Sequence, residues 1–153
     1  MQIPIWQKLL GMLIYLLPWS DAIPFGRSLF IDFPLLQWLA IPALPIMFFE
    51  RAIPFGNLLL FFALFLGVAR NSKISYFIRF NTMQAILFDI ALVLLNYCFQ
   101  VILQPLGGGF IVKTLASTVF LGILAIIIFA FAECLQGKEP DLPGISPAVR
   151  MQL

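Results

Sequence analysis

Few side chains in this sequence can do chemistry, and most of those lie on one segment. Arg70, Lys73 and Arg79 follow one another with no acid between them, and the apolar run behind them carries Asp89. At 100° per residue, Asp89, Asn96 and Gln100 share a narrow stripe of a helix, with Asn81 and Gln104 at its margins. Polar side chains aligned down a membrane helix face protein or water, not lipid. An acid near the midplane costs about 2.5 to 3.5 kcal/mol on insertion scales, which Tyr, Asn or Thr partners can offset. Two readings stand. The stripe is a polar conduit or proton-linked site, or it supplies interhelical hydrogen bonds worth about 0.6 kcal/mol each. The second needs less, because no other membrane-embedded ionisable residue is evident to complete a relay.

The rest of the inventory excludes more than it suggests. Histidine is absent, which removes the commonest general base and metal ligand. Cys98 and Cys134 lack metal-ligand spacing and read as two buried thiols. There is no phosphate loop, zinc-protease motif, nucleophile elbow or pair of catalytic carboxylates, and Ser117 has no candidate base. The sequence therefore reads as a non-enzyme without cofactor or metal. Gly107, Gly108 and Gly109 lack the Lys-Ser/Thr of a phosphate loop and suit a flexible turn. Thr114, Thr118, Gly122, Ala125 and Ala132 align as a small-residue face for close helix packing. Glu133 is expected to reach the interface and pair with Arg70 or Lys73.

These residues must be positioned by membrane helices. A chain of 153 residues that is 62% hydrophobic and 10% charged, with mean hydropathy +1.04, is far more apolar than a soluble domain. The fold class is all-α: a polytopic integral membrane protein with four transmembrane helices plus a short interfacial or re-entrant apolar segment. The spans fall at about 8–25, 53–69, 78–103 and 111–135, within a membrane domain of 1–137. The interfacial element is 34–49, which carries Pro42 and Pro45, and 138–153 is a soluble, extended, proline-containing tail. Gly137 suits a C-terminal helix cap. The net charge of +2 is too small to imply nucleic acid, and the hydropathy makes the lipid bilayer the expected partner.

Two features of the first half admit rival readings. Lys8, the apolar run Leu9–Trp19 and Ser20-Asp21-Ala22 fit a cleaved signal peptide or an irregular first span bent at Pro18 and Pro24. Ala-Ile-Pro-Phe-Gly occurs twice, at 22–26 and 52–56, as a helix-starting repeat or by coincidence. With four spans, Lys8, Arg70, Lys73, Arg79, Lys138 and Arg150 share one side, against Arg27, Arg51 and Lys113. The positive-inside rule then puts both termini on the cytoplasmic or stromal side, and Arg70 and Lys73 form the orienting loop, attracted to anionic headgroups. A fifth span would keep that division and flip the N-terminus; segment length prefers four.

Arg79-Phe80-Asn81-Thr82-Met83-Gln84-Ala85-Ile86-Leu87, followed by Asp89-Ile90, resembles the Tic-twenty family. Ile145-Ser146-Pro147-Ala148-Val149-Arg150-Met151-Gln152 resembles its cyanobacterial branch. The resemblance implies a four-helix membrane protein that serves as a channel-forming or core subunit of the chloroplast inner-envelope import translocon, in contact with a translocating polypeptide. It transfers no catalytic residue. The start at Met1 without a transit peptide points to a cyanobacterial or plastid-encoded product, in a cyanobacterial plasma or thylakoid membrane or the plastid inner envelope. Arg79, Asn81, Gln84 and Asp89 are the signature residues, with Asn96 and Gln100 continuing a possible polar path. A small-solute or ion transporter built on Asp89 and a scaffold subunit of a larger complex are the alternatives.

Overall fold

The computed structural model describes residues 3–107, 109–142 and 144–153. Gly108 of the glycine triplet and Pro143 of the tail lie outside them. Among the described residues eight α-helices follow in order: α1 (Ile5–Ile14), α2 (Leu16–Ala22), α3 (Arg27–Asp32), α4 (Leu44–Ala52), α5 (Gly56–Leu64), α6 (Tyr76–Cys98), α7 (Phe110–Leu135) and α8 (Ile145–Gln152). Shorter turns join several of them into longer rods. The all-α, polytopic architecture expected from composition is the one observed, with no strand among the described residues.

Among the described residues three rods are long and apolar enough to cross a membrane: Ile5–Asp32, Tyr76–Leu106 and Phe110–Leu135, of 28, 31 and 26 residues. At the helical rise they measure roughly 39 to 46 Å, against a hydrocarbon core of about 30 Å. A fourth unit is bent. Pro34–Ala52, which begins as the 3₁₀ stretch Pro34–Ala43, meets Gly56–Ala69 at 112°.

The repeated pentapeptide explains that bend and also shows the limit of local sequence. In the first copy Pro24 opens a 3₁₀ turn and the rod continues into α3. In the second, Ile53 is extended before Pro54, as residues preceding proline prefer, and Phe55 adopts a left-handed φ of 58°. Gly56 then lets the chain fold back, since a Cβ there would lie 2.8 Å from the Glu50 Cα. The difference is tertiary: Ala22 and Phe25 are buried, whereas Phe55 is 80% exposed. Phe25 packs edge-on against Phe99, with ring centroids 5.2 Å apart.

α6 is the axis of the bundle. The first rod runs parallel to it: Ser75 donates to Gln7 at one end (3.0 Å) and Phe25 meets Phe99 toward the other. α7 runs antiparallel, with Cys134 beside Asn81 and Phe120 against Trp19 at 5.2 Å. Gln7, the loop before Tyr76 and the end of α7 thus share one end of the bundle, where a Gly137 Cβ would lie 3.3 Å from Lys8 Cε. α7 closes as expected at Gly137, with φ 74° and Lys138 N–H returning to the Glu133 carbonyl at 2.9 Å.

Four expectations are corrected. The small-residue face of α7 is exposed, and Gly122 has no neighbour where its Cβ would be. Phe120, Ile123, Ile127, Ala130 and Cys134 do the packing instead. Because α7 is apolar all round, no stripe in its sequence marks the inner face. Cys98 is exposed and only Cys134 is buried, since Cys98 lies on the outer side of its helix while its neighbours Leu95 and Phe99 pack against the core. Glu133 forms no ion pair with Arg70 or Lys73; among the described residues the one salt bridge joins Arg150 to Asp141. Finally, part of the tail is helical. α8 buries Ser146 and Val149 against α6, contacts that an isolated eight-residue helix would need in order to persist.

Candidate functional site

The best-connected polar site is a closed network on the first half of α6. Asn81 donates from Nδ2 to the Phe77 carbonyl one turn back (2.9 Å). Its Oδ1 accepts the Tyr15 hydroxyl at 2.8 Å and the Cys134 thiol at 3.3 Å. One turn on, Gln84 Nε2 donates both to the Tyr15 oxygen and to the Pro140 carbonyl, each at 2.9 Å. Gln84 Oε1 accepts the Ser146 hydroxyl, which itself accepts the Leu142 N–H at 2.7 Å. Tyr15, Asn81, Gln84 and Ser146 are all fully buried. Both polar atoms of Gln84 are matched, so the network meets the requirement that buried polar groups be satisfied.

This network bolts α8 onto the bundle. Val149 fills a small cluster with Ala69, Phe80 and Met83, and the Arg150 guanidinium lies 5.3 Å over the Phe80 ring. Such a contact is worth about 0.5 to 1 kcal/mol when exposed. Arg70 is exposed, stacks 5.2 Å over Phe65 and donates to Gln152 at 3.3 Å. Arg79 donates from Nε to the Ala69 carbonyl (3.1 Å), placing a cation at the C-terminal end of the α5 rod, where the helix dipole favours one. Lys73 is exposed on the loop, its backbone N–H held by Asn71 Oδ1 at 3.0 Å.

Asp89 has a different setting, and here the structure adds residues that sequence reasoning missed. Asp21 of α2 faces the Asp89 carboxyl, and Glu50 of α4 lies within electrostatic reach of both. Asp21 Oδ2, Glu50 Oε1 and Asp89 Oδ1 are buried without a hydrogen-bond partner. Among the described residues, no group of three such side chains has the geometry to hold a metal. No periodicity within one helix marks these partners: toward the bolt, paired residues of the first rod and α6 lie 66 to 69 positions apart, and that register of the folded chain brings Asp21 to Asp89.

Asn96 and Gln100 lie farther along the rod Tyr76–Leu106, in a cleft of about 370 Å³ with Pro24, Arg27 and Gln104. Leu92, buried in the core, separates them from Asp89, and the π turn Phe99–Leu103 changes the phase of the helix beyond Cys98. The polar residues of α6 therefore occupy three places: the bolt, the acidic trio and the Arg27 cleft.

A helical chain with three membrane-length rods, a bent fourth unit and a buried polar bolt is a polytopic membrane protein. It belongs to the Tic20 family: residues 2–149 match the family model described as "Chloroplast import apparatus Tic20-like". The chain is 39% identical over 147 residues to a Tic20 family protein of Synechocystis sp., covering 95% of this chain and 92% of that one. It is 31% identical over 153 residues to Protein TIC 20-II, chloroplastic, of Arabidopsis thaliana, covering 98% and 74%. A Tic20 family protein Ycf60 of Porphyra purpurea is 30% identical over 155 residues, covering 95% and 75%. The family resemblance carried by 79–90 and 145–152 is thus borne out, and the two stretches meet across the Gln84–Ser146 bond.

Proposed function

We propose that the chain is a non-enzymatic membrane subunit of a protein-translocating assembly, working beside other membrane subunits. The observation that carries this reading is family membership across almost the whole chain. The proposed topology has four crossings, with both termini on the cytoplasmic or stromal side. The parallel packing of the first rod and α6 supports it, because the chain between them must return from one face of the bundle to the other. Only the bent unit Pro34–Ala69 is available for that return. In this reading Arg79, Asn81 and Gln84 fix the bundle and its tail. Asn96 and Gln100, with Arg27, line the polar surface offered to a passing polypeptide. In membranes that retain the partner subunits, a photo-crosslinker at 96 or 100 captures a precursor in transit. Capture confined to exposed apolar positions such as Val101 and Ile128 overturns the reading.

The acidic trio favours a second reading, transport of a cation or small polar solute past Asp21, Glu50 and Asp89. It predicts that Asp89→Asn changes flux in proteoliposomes of the purified chain. No flux in the unaltered protein, or flux unaffected by the substitution, removes it.

A further inference from the structure

We infer that the groove between α1, the end of the α5 rod, the 70–75 loop and the start of α6 binds one anionic phospholipid. It measures about 810 Å³, within the roughly 300 to 1,000 Å³ of small-molecule sites. Its walls include Leu10, Ile14, Leu64 and Val68, and its mouth carries Lys73 and Trp6. Apolar walls at the edge of a membrane rod are filled by an acyl chain more readily than by water. Trp6, 58% exposed, has the indole suited to the headgroup level.

The sign of the headgroup follows from which cation is free. Arg70 is engaged by Gln152 and Phe65, and Arg79 by the Ala69 carbonyl. Ser75 has spent its hydroxyl on Gln7. Among the described residues Lys73 has no ion-pair partner, and it is the one charged side chain lining the groove. Asn71 fixes its backbone through two bonds: the Lys73 N–H to Asn71 Oδ1, and the Ile74 N–H to the Asn71 carbonyl at 3.1 Å. An ammonium presented at the mouth of an apolar groove complements a phosphate ester on an acyl chain.

Native mass spectrometry of the detergent-purified chain tests this with phosphatidylglycerol, phosphatidylcholine and glycerol phosphate as probes. One phosphatidylglycerol should be retained in preference to phosphatidylcholine, and glycerol phosphate should not displace it. Lys73→Gln should weaken phosphatidylglycerol about fivefold and leave phosphatidylcholine unchanged, while Lys113→Gln, outside the groove, changes neither. Leu10→Trp, which fills the groove, should release the lipid. Lys73 is an exposed loop residue, so its substitution does not hinge on folding. Equal loss in Lys73→Gln and Lys113→Gln would mean diffuse charge attraction. Displacement by glycerol phosphate would mean an anion site without a chain, and release of a polypeptide by Leu10→Trp would mean a protein occupant. Each of these overturns the proposal.

Discussion

Replacing Gln84 by leucine should unbolt α8 while leaving the rods assembled. Gln84 makes three side-chain hydrogen bonds, each worth about 0.5 to 1.5 kcal/mol net. The partners are not left bare, which lowers the total. Tyr15 keeps Asn81, Ser146 keeps the Leu142 N–H, and the Ser146 hydroxyl proton released by Gln84 turns to the Pro140 carbonyl 3.1 Å away. Only the bonds to Pro140 and Ser146 hold the tail, so its expected loss is about 1 to 2 kcal/mol. Val149 and the Arg150–Phe80 contact then hold α8 with little help. Opening of the tail should rise roughly 5- to 30-fold, since about 1.4 kcal/mol is a factor of ten. Amide hydrogen exchange of residues 145–152 in nanodiscs reads this directly, with 120–130 of α7 as the internal reference. Unchanged exchange in the tail, or equal acceleration in α7, refutes the reasoning. A double-mutant cycle with Ser146→Ala adds a second check: direct contact predicts non-additivity of at least about 0.5 kcal/mol, and strict additivity denies the bond.

Two further outcomes follow from the packing. Asp89→Asn should raise the thermal midpoint in detergent, because an amide keeps a donor toward Asp21 and removes one of three neighbouring acids; a lowered midpoint contradicts the crowding of like charges. Gly26→Ala should cost about 1 to 3 kcal/mol, since the new Cβ would stand 2.8 Å from the Phe120 ring. Phe120→Leu in the same chain should recover part of that loss, and no recovery would place the strain elsewhere.

The cores of the α6 and α7 rods were legible in the sequence because each is a long apolar run with clear stops. The faces were not. α7 carries apolar residues all round, so its alignment of Thr and Gly drew attention to the side that the structure leaves exposed. The pentapeptide 22–26 matches 52–56 residue for residue, yet one copy continues a rod and the other breaks it; the contact that holds the first copy in its rod, Phe25 with Phe99, comes from elsewhere in the chain, and Gly56 folds back on the flanking Glu50. Of the candidate site, Asn81, Gln84 and Asp89 were identifiable as polar residues in a membrane helix. Their partners Tyr15, Ser146, Asp21 and Glu50 depend on interhelical register, which periodicity within one helix does not contain.

The 112° bend also bears on the bilayer itself. If Gly56–Ala69 of the bent unit makes the returning crossing, it rises roughly 21 Å, well short of the ~30 Å hydrocarbon thickness. Such hydrophobic mismatch is relieved by thinning the lipid alongside, at a fraction of a kcal/mol per ångström. The protein would then carry a dimple in the membrane along its α5 flank. Any polypeptide or solute crossing there would meet a shorter apolar barrier than the surrounding bilayer presents.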